Sequence, residues 1–113
     1  MSIFYNNHDN PRMISKVTEE KIYHNQLAKL LAVMQFTLKG TPFIFQGDEM
    51  GLGNYDFTSM EQITDVEAKG YYEEQTKKRS RAEVFQELLA GTREHCRVLL
   101  PWNETMPKYH EGL

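Results

Sequence analysis

The stretch "TPFIFQG", residues 41–47, decides how this chain folds. It holds an uninterrupted apolar run, residues 43–45, with a proline before it and a glycine after it. A short, continuous apolar run between such residues is typical of a strand that is buried on both faces, as the strands of parallel sheets are. The stretch therefore predicts a buried strand over residues 43–45.

The segment before this strand has the periodicity of a helix. Over residues 21–39, apolar side chains recur at three- and four-residue spacing and form one face. The members of this face are Leu27, Leu30, Leu31, Met34 and Leu38, widened by Ala28, Ala32, Val33 and Phe36. We expect so apolar a helix to be sandwiched between other layers, with Thr18 as its N-cap and Gly40 as its C-cap.

A shorter apolar run, residues 3–5, predicts a second strand that ends at Asn6 and Asn7. Strand, helix and strand within residues 3–45 form a βαβ unit, in which the two strands are parallel and the crossover is right-handed. The predicted fold class is therefore α/β, mostly helical, with two short parallel strands.

The chain changes character after Gln46. Residues 47–62 are largely polar, hold three glycines and predict a long irregular loop at the exit of the strand. Loops in this position carry the functional groups of α/β folds. Short helices are predicted to follow over residues 60–66 and 71–76.

The last third of the chain begins with a helix and ends without regular structure. Ser80 and Glu83 match a capping box that opens a helix over residues 81–90. The apolar residues of its buried stripe are Val84, Phe85, Leu88 and Leu89. Residues 93–113 lack periodicity and predict an irregular connector, so that residues 1–113 form a single partial domain.

Composition and charge exclude several partners. Lys and Arg total 13 against 16 Asp and Glu, and the resulting net charge of −3 offers no basic surface for a nucleic acid. No apolar run approaches the roughly 18 residues that a membrane-spanning helix needs, and the first residues lack the pattern of a signal peptide. Cys96 is the single cysteine, which excludes an internal disulfide and favours a reducing compartment. We therefore expect a cytoplasmic protein with neither a nucleic-acid nor a membrane partner.

The stretch "FYNNHDNPR", residues 4–12, is the densest group of polar and ionisable residues. In a loop just past a strand, His8 and Asp9 can turn toward one cavity and exchange hydrogen bonds with a polyhydroxylated ligand. Arg12 could then keep the carboxylate of Asp9 ionised. The alternative is a turn whose Asn and Asp side chains satisfy their own backbone. The residues alone leave both interpretations open.

The stretch "QGDEMG", residues 46–51, offers two adjacent acids, Asp48 and Glu49. They could act as acid and base, bind a cation, cap a short turn or pair with a loop arginine. Its glycines match no phosphate-binding pattern, and the histidines have no spacing typical of metal ligands. No metal or cofactor is therefore predicted.

Taken together, these stretches resemble glycoside hydrolase family 13, the α-amylase superfamily. "NNHDNPR" (6–12), an apolar helix and "GTPFIFQGDEMGL" (40–52) are similar to its α-glucosidase branch, which includes oligo-1,6-glucosidases and dextran glucosidases. "NYDFTSMEQITDVEA" (54–68) resembles the branch's "FTSIEDYRDIE". "TREHCRVLLPW" (92–102) resembles its "SRDNARTPMQW", which aligns Arg93, Arg97 and Trp102. The resemblance implies a partial TIM (β/α)8 barrel, running from strand seven to helix eight.

The same resemblance assigns roles to the first stretch. Asp9 corresponds to the catalytic carboxylate that stabilises the transition state, and His8 to a histidine that hydrogen-bonds the same sugar. Arg12 corresponds to an arginine that flanks this substrate-binding site. An ionised Asp9 would favour the positive charge that develops on the sugar in an oxocarbenium-like transition state. The implied substrates are small α-glucoside oligosaccharides.

The catalytic set that the resemblance implies is incomplete in this sequence. Retaining glycosidases need a nucleophile and a general acid about 5 Å apart, and the family's "GFR.D" stretch of strand four and glutamate of strand five have no counterpart here. We therefore expect a fragment of an α-glucosidase that is inactive alone. The alternative is a non-catalytic carbohydrate-binding or self-associating module. Because two strands leave open sheet edges, a homo-oligomer or a swapped assembly is expected.

Overall fold

The structure of the chain, a computed structural model, describes residues 1–18 and 21–102. Its strands are β1 (Ser2–Ile3) and β2 (Thr41–Pro42), and its helices are α1 (Met13–Val17), α2 (His24–Thr37), α3 (Val66–Gln75) and α4 (Arg81–Gly91). Single 3-10 turns cover Lys21–Tyr23, Asp48–Met50, Met60–Gln62 and Arg93–Cys96. None of the helices within these residues has the length and apolar character to cross a membrane.

β1 and β2 pair in parallel, with Ser2 opposite Thr41, which confirms the parallel pairing of the predicted βαβ unit, although β1 ends at Ile3 and does not include the predicted residues 4 and 5. Gly40 makes this pairing sterically feasible. Its φ is +156°, and a Cβ placed there would lie 2.7 Å from the carbonyl oxygen of Met1 and 2.8 Å from Cδ1 of Ile3. The prediction that Gly40 caps the helix is wrong, because α2 ends at Thr37 with an extended Leu38 as its C-cap.

The prediction of a buried strand over residues 43–45 is also wrong. β2 comprises only Thr41–Pro42, and Phe43 and Ile44 are 55% and 53% exposed. One further ladder bond, from the Phe43 amide to the Ile3 carbonyl at 2.8 Å, extends the pairing beyond β2. Within the described residues this sheet has two strands, and the exposure of Phe43 and Ile44 shows that no second layer covers these side chains.

Helix α2 is not sandwiched within the described residues. Its apolar side chains Leu30, Val33, Met34 and Phe36 are exposed, and its one buried residue is Gln35. Gln35 donates from Nε2 to the carbonyl of Phe43 at 2.7 Å and so links α2 to the segment after β2. Thr18 does not cap α2, because α2 begins at His24 after Tyr23, whereas Glu19 and Glu20 lie outside the described residues.

The apolar core lies in the second half of the chain. Phe57, Ile63, Ala68 and Leu88 form it, and the partly buried Tyr55, Met60, Tyr72, Phe85, Leu89 and Val98 pack against it. α4 begins where the sequence predicts, with Ser80 Oγ accepting a hydrogen bond from the Glu83 amide at 3.3 Å. Its predicted stripe is confirmed, because Val84 and Leu88 are buried.

Three other elements of this half differ from the prediction. The helix expected over residues 60–66 is a 3-10 turn, Met60–Gln62, and α3 starts at Val66 instead of residue 71. The aspartate at position 65 sets this start, because its side chain accepts a hydrogen bond from the Ala68 amide at 3.2 Å. Residues 93–96 are a 3-10 turn within the expected connector, with Glu94, His95 and Cys96 buried, and residues 103–113 of that connector lie outside the described residues.

Candidate functional site

Hydrogen bonds of Asn6 and Asn7 shape the loop that carries the candidate site. Asn6 Oδ1 accepts from the Met13 amide at 2.7 Å. Asn7 Oδ1 accepts from the Asp9 amide and from Asn10 Nδ2, both at 2.9 Å. The loop is therefore the self-satisfied Asx turn that was one of the two interpretations of the sequence. This turn fixes the direction in which residues 8 and 9 leave the backbone.

The side chains of His8 and Asp9 converge on one open surface. His8 Nε2 lies 3.2 Å from Asp9 Oδ2, and the two side chains are 70% and 52% exposed. Adjacent side chains of an extended segment point to opposite sides, so it is the turn that brings these two together. An imidazole and a carboxylate in this position can donate hydrogen bonds to, and accept them from, a ligand that binds at the exposed surface.

Arg12 does not contact Asp9, and the expectation that it keeps this carboxylate ionised is wrong. Its side chain is 1% exposed. Its guanidinium extends to the exit loop of β2, where Nη1 donates to the Gln46 carbonyl at 2.8 Å and lies 3.4 Å from Asp48 Oδ1. Its Cζ lies 5.1 Å from the ring centroid of Phe45, a cation–π distance. Arg12 thus links the loop of residues 4–12 to the loop of residues 46–51 through buried contacts.

Two arginines from the last quarter of the chain, Arg93 and Arg97, contact Asp9 in place of Arg12. Arg97 Nη2 donates to Asp9 Oδ1 at 3.3 Å, and Arg97 Nε donates to the His8 carbonyl at 3.1 Å. Arg93 Nη1 lies 3.9 Å from the same Asp9 oxygen. The sequence resemblance singled out both arginines, but periodicity and spacing carry no signal for a contact between residues so far apart.

The acids of "QGDEMG" accept hydrogen bonds from the loops that surround them. Asp48 accepts from Asn6 Nδ2 at 2.6 Å and from the Phe45 amide at 3.1 Å, besides its pairing with Arg12. Glu49 accepts from the Gly47 amide at 2.9 Å. Pairing with a loop arginine was one of the alternatives for Asp48, and it is the one observed. Across the part of the chain that the structure describes, no three His, Cys, Asp or Glu side chains group as metal ligands.

His95 and Cys96 are buried packing residues. His95 Nδ1 accepts from the Tyr55 amide at 3.1 Å, which leaves Nε2 as the protonated nitrogen, donating to the Leu89 carbonyl at 2.8 Å. Burial lowers the pKa of His95 and raises the pKa of the Cys96 thiol. A neutral imidazole and a protonated thiol of this kind are unreactive.

A cavity of about 480 Å³ lies between α2 and the loop after β2. Most of its lining is apolar, including Ala28, Ala32 and Leu52. His8 and Asp9 are not among its lining residues, so the cavity is separate from the candidate site.

Several curated relatives of this chain are glucosidases. It is 38% identical over 108 residues to the oligo-1,6-glucosidase of Halalkalibacterium halodurans, a match that covers 92% of this chain and 19% of the relative. It is 33% identical over 105 residues to the glucan 1,6-alpha-glucosidase of Streptococcus pneumoniae, covering 92% and 20% of the two chains. The chain thus spans about a fifth of the length of these relatives.

Solved structures and a family model give the fold and the family of the chain. The trehalulose synthase of Pseudomonas mesoacidophila superimposes with a TM-score of 0.81 at 34% identity, over 92% of this chain and 19% of that one. An isomaltulose synthase mutant of Erwinia rhapontici in complex with D-glucose gives a TM-score of 0.82 at 33% identity, with the same coverage. The family model described as the alpha-amylase catalytic domain matches residues 1–110. This chain therefore belongs to the alpha-amylase catalytic-domain family, glycoside hydrolase family 13, and folds as part of its TIM barrel.

Proposed function

We propose that this chain supplies the seventh and eighth βα units of an α-glucosidase barrel that hydrolyses small α-glucoside oligosaccharides. In this proposal β1 is strand seven, β2 is strand eight, and Asp9 stabilises the transition state while His8 hydrogen-bonds the same sugar. The convergence of His8 and Asp9 at the exit of β1 carries the proposal. The carboxyl ends of barrel strands are where enzymes of this fold bind substrate.

The electrostatics of the loop suit this role. The charged partners of Asp9 in the described structure are cationic, with Arg97 at 3.3 Å and Arg93 at 3.9 Å. These contacts hold the Asp9 carboxylate in place, and an anion beside the sugar stabilises the oxocarbenium-like charge of the transition state. Arg12 supports the site by linking the loop of residues 4–12, which carries His8 and Asp9, to residues 46–51.

The isolated 113-residue chain should show no turnover of p-nitrophenyl-α-glucoside. Hydrolysis with retention needs a nucleophile and a general acid about 5 Å apart, and Asp9 alone provides neither role. The measurement is release of p-nitrophenol, with Asp9→Ala as the matched control. Turnover that Asp9→Ala abolishes would overturn the expectation of inactivity.

The chain should nevertheless bind a glucose-shaped ligand weakly at the loop. We expect addition of 1-deoxynojirimycin, a cationic glucose analogue, to shift the NMR signals of His8 and Asp9, with a Kd of about a millimolar or weaker for one subsite. Asp9→Asn removes the charge that attracts the cation and should abolish these shifts. Glu73→Gln, which neutralises an exposed carboxylate on α3, should leave them unchanged. Shifts that survive Asp9→Asn would contradict the proposed role of Asp9.

A self-associating or carbohydrate-binding module is the second candidate. The observation that favours self-association is the exposed apolar surface of α2 and of residues 43–44. Exposed surfaces of this kind mark interaction sites. The oligomeric state of the chain tests this candidate, as set out below.

A further inference from the structure

We propose that Asp65 is a positioning residue of the candidate site, which aims Asp9 by holding the guanidinium groups of Arg93 and Arg97. The relevance of this positioning to catalysis rests on the proposed function of Asp9, whereas the contacts that produce it are independent of that function. Asp65 lies 56 positions from Asp9 in the sequence numbering and does not belong to the loop that it would control.

Arg97 forms a bridge between the two aspartates. Its Nη2 donates to Asp9 Oδ1 at 3.3 Å, while its Nη1 lies 3.5 Å from Asp65 Oδ1. Its Nε donates to the His8 carbonyl at 3.1 Å, so the same guanidinium holds both the side chain and the backbone of the loop. A planar guanidinium with its donors in fixed directions transmits the position of one carboxylate to the other.

Arg93 donates two hydrogen bonds to Asp65, whereas it has one ion-pair contact each with Glu67 and Asp9. Its Nη2 and Nε donate to Asp65 Oδ1 at 2.7 Å and 3.0 Å, whereas its Nη1 lies 3.9 Å from Asp9. Asp65 is also the buried member of the network, with a side chain 8% exposed against 52% for Asp9. Charge pairs contribute more in buried positions, where water screens them less, so the anchor of the network is at Asp65.

Besides the arginines, two further contacts fix Asp65. Its Oδ2 accepts from the Ala68 amide at 3.2 Å as the N-cap of α3. The buried Glu94 accepts from the amides of Thr64 and Asp65 at 3.0 Å and 3.1 Å, which binds this turn to the segment that carries both arginines. Burial by itself would raise the pKa of Asp65, but hydrogen bonds from Arg93 and Ala68 and the charges of Arg93 and Arg97 lower it. Asp65 is therefore anionic at neutral pH.

The variant Asp65→Asn tests the inference, because asparagine is as good an N-cap as aspartate but carries no charge for the arginines. We expect hydrogen exchange at the Asp9 amide, which donates to Asn7 Oδ1, to accelerate about tenfold, since a charge-assisted hydrogen-bond network is loosened. The NMR signals of the Asp9 carboxyl carbon and of Arg97 Nε–H should move, whereas amide exchange in α4 should stay unchanged.

Glu67→Gln is the matched control. Glu67 pairs with the same Arg93 at 2.8 Å, but its side chain is 79% exposed. Exposed ion pairs contribute little, so this variant should leave His8 and Asp9 unchanged. If Asp65→Asn fails to fold, Asp65→Ser decides instead, because serine is also a favoured N-cap but has no carboxylate to hold the arginines. Loosening of residues 8 and 9 in Asp65→Ser supports the inference, and unchanged exchange there overturns it.

Titration with 1-deoxynojirimycin separates this inference from the proposed function. If Asp65→Asn loosens the loop but the wild-type chain shows no shifts with the ligand, Asp65 positions Asp9 and the sugar-binding role of Asp9 fails. If the wild-type chain binds the ligand and Asp65→Asn changes neither exchange at Asp9 nor affinity, the positioning inference fails and the proposed function stands. A loosened loop together with a several-fold weaker affinity supports both.

Discussion

At the scale of single residues, the chain separates groups that face solvent from groups that are buried and paired. His8 and His95 illustrate the difference. The first is presented by a turn on the surface, and the second is enclosed between a backbone donor and a backbone acceptor. In the sequence both histidines lie in segments without regular periodicity. Their different burial in the structure is what distinguishes His8, a candidate ligand-binding group, from His95, a packing residue.

The buried His95 should make the stability of the chain depend on pH. Burial lowers its pKa from the ordinary value of 6.5, so the unfolded chain binds a proton that the folded chain does not. The stabilisation by the neutral ring is complete above about pH 6.5 and is lost as the pH falls below it. Protonation would also remove the acceptor for the Tyr55 amide.

Urea unfolding at pH 7 and pH 5 measures this effect. The midpoint should fall between these values in the wild-type chain. It should fall less in His95→Gln, which carries an amide in place of the titrating ring. An equal fall in both proteins would exclude His95 as its source.

At the scale of elements, two glycines with similar sequence surroundings have opposite structural requirements. Gly40 sits where β2 meets β1, and a Cβ there would clash with backbone and side chain at 2.7–2.9 Å. Gly70 lies inside α3, and a Cβ there would meet nothing within 4 Å. The difference depends on what the tertiary fold places beside each glycine.

Alanine substitutions should therefore change stability in opposite directions. Gly40→Ala should lower the free energy of unfolding by about 1–3 kcal/mol, because the strained φ and the clash oppose β1–β2 pairing. Gly70→Ala should raise it by about 0.5–1 kcal/mol, because alanine has less conformational freedom to lose in a helix. Chemical denaturation of both variants provides the comparison. A stability gain in Gly40→Ala would contradict the strand pairing.

At the scale of the whole molecule, the chain has a core in one half and exposed apolar surface in the other. α3 and α4 enclose Phe57 and Ile63, whereas α2 and the segment after β2 leave large apolar side chains in contact with solvent. A two-stranded parallel sheet is unusual on its own, because parallel sheets are normally covered on both faces. Both features match a part of a barrel that spans about a fifth of its relatives' length.

The purified chain should associate with itself through this surface. Light scattering should give a mass above that of one chain, and the double substitution Phe36→Lys with Phe43→Lys should weaken association about tenfold or more by placing charges in the apolar contact. Val66→Lys, on an exposed apolar residue of α3, is the matched control and should leave the mass unchanged. A monodisperse wild-type monomer with a cooperative melt would contradict self-association.

The sequence by itself determined the βαβ order, the presence of α2, the start of α4 and the family, because these depend on local periodicity, capping residues and short motifs. It also placed His8 and Asp9 at a strand exit. Only the tertiary structure decided that Arg97 contacts Asp9, that Arg12 is buried against Asp48, and that the apolar stretch 43–45 is exposed for most of its length. Contacts between residues tens of positions apart, and the burial of a face, depend on which elements pack against each other, and no local pattern records that.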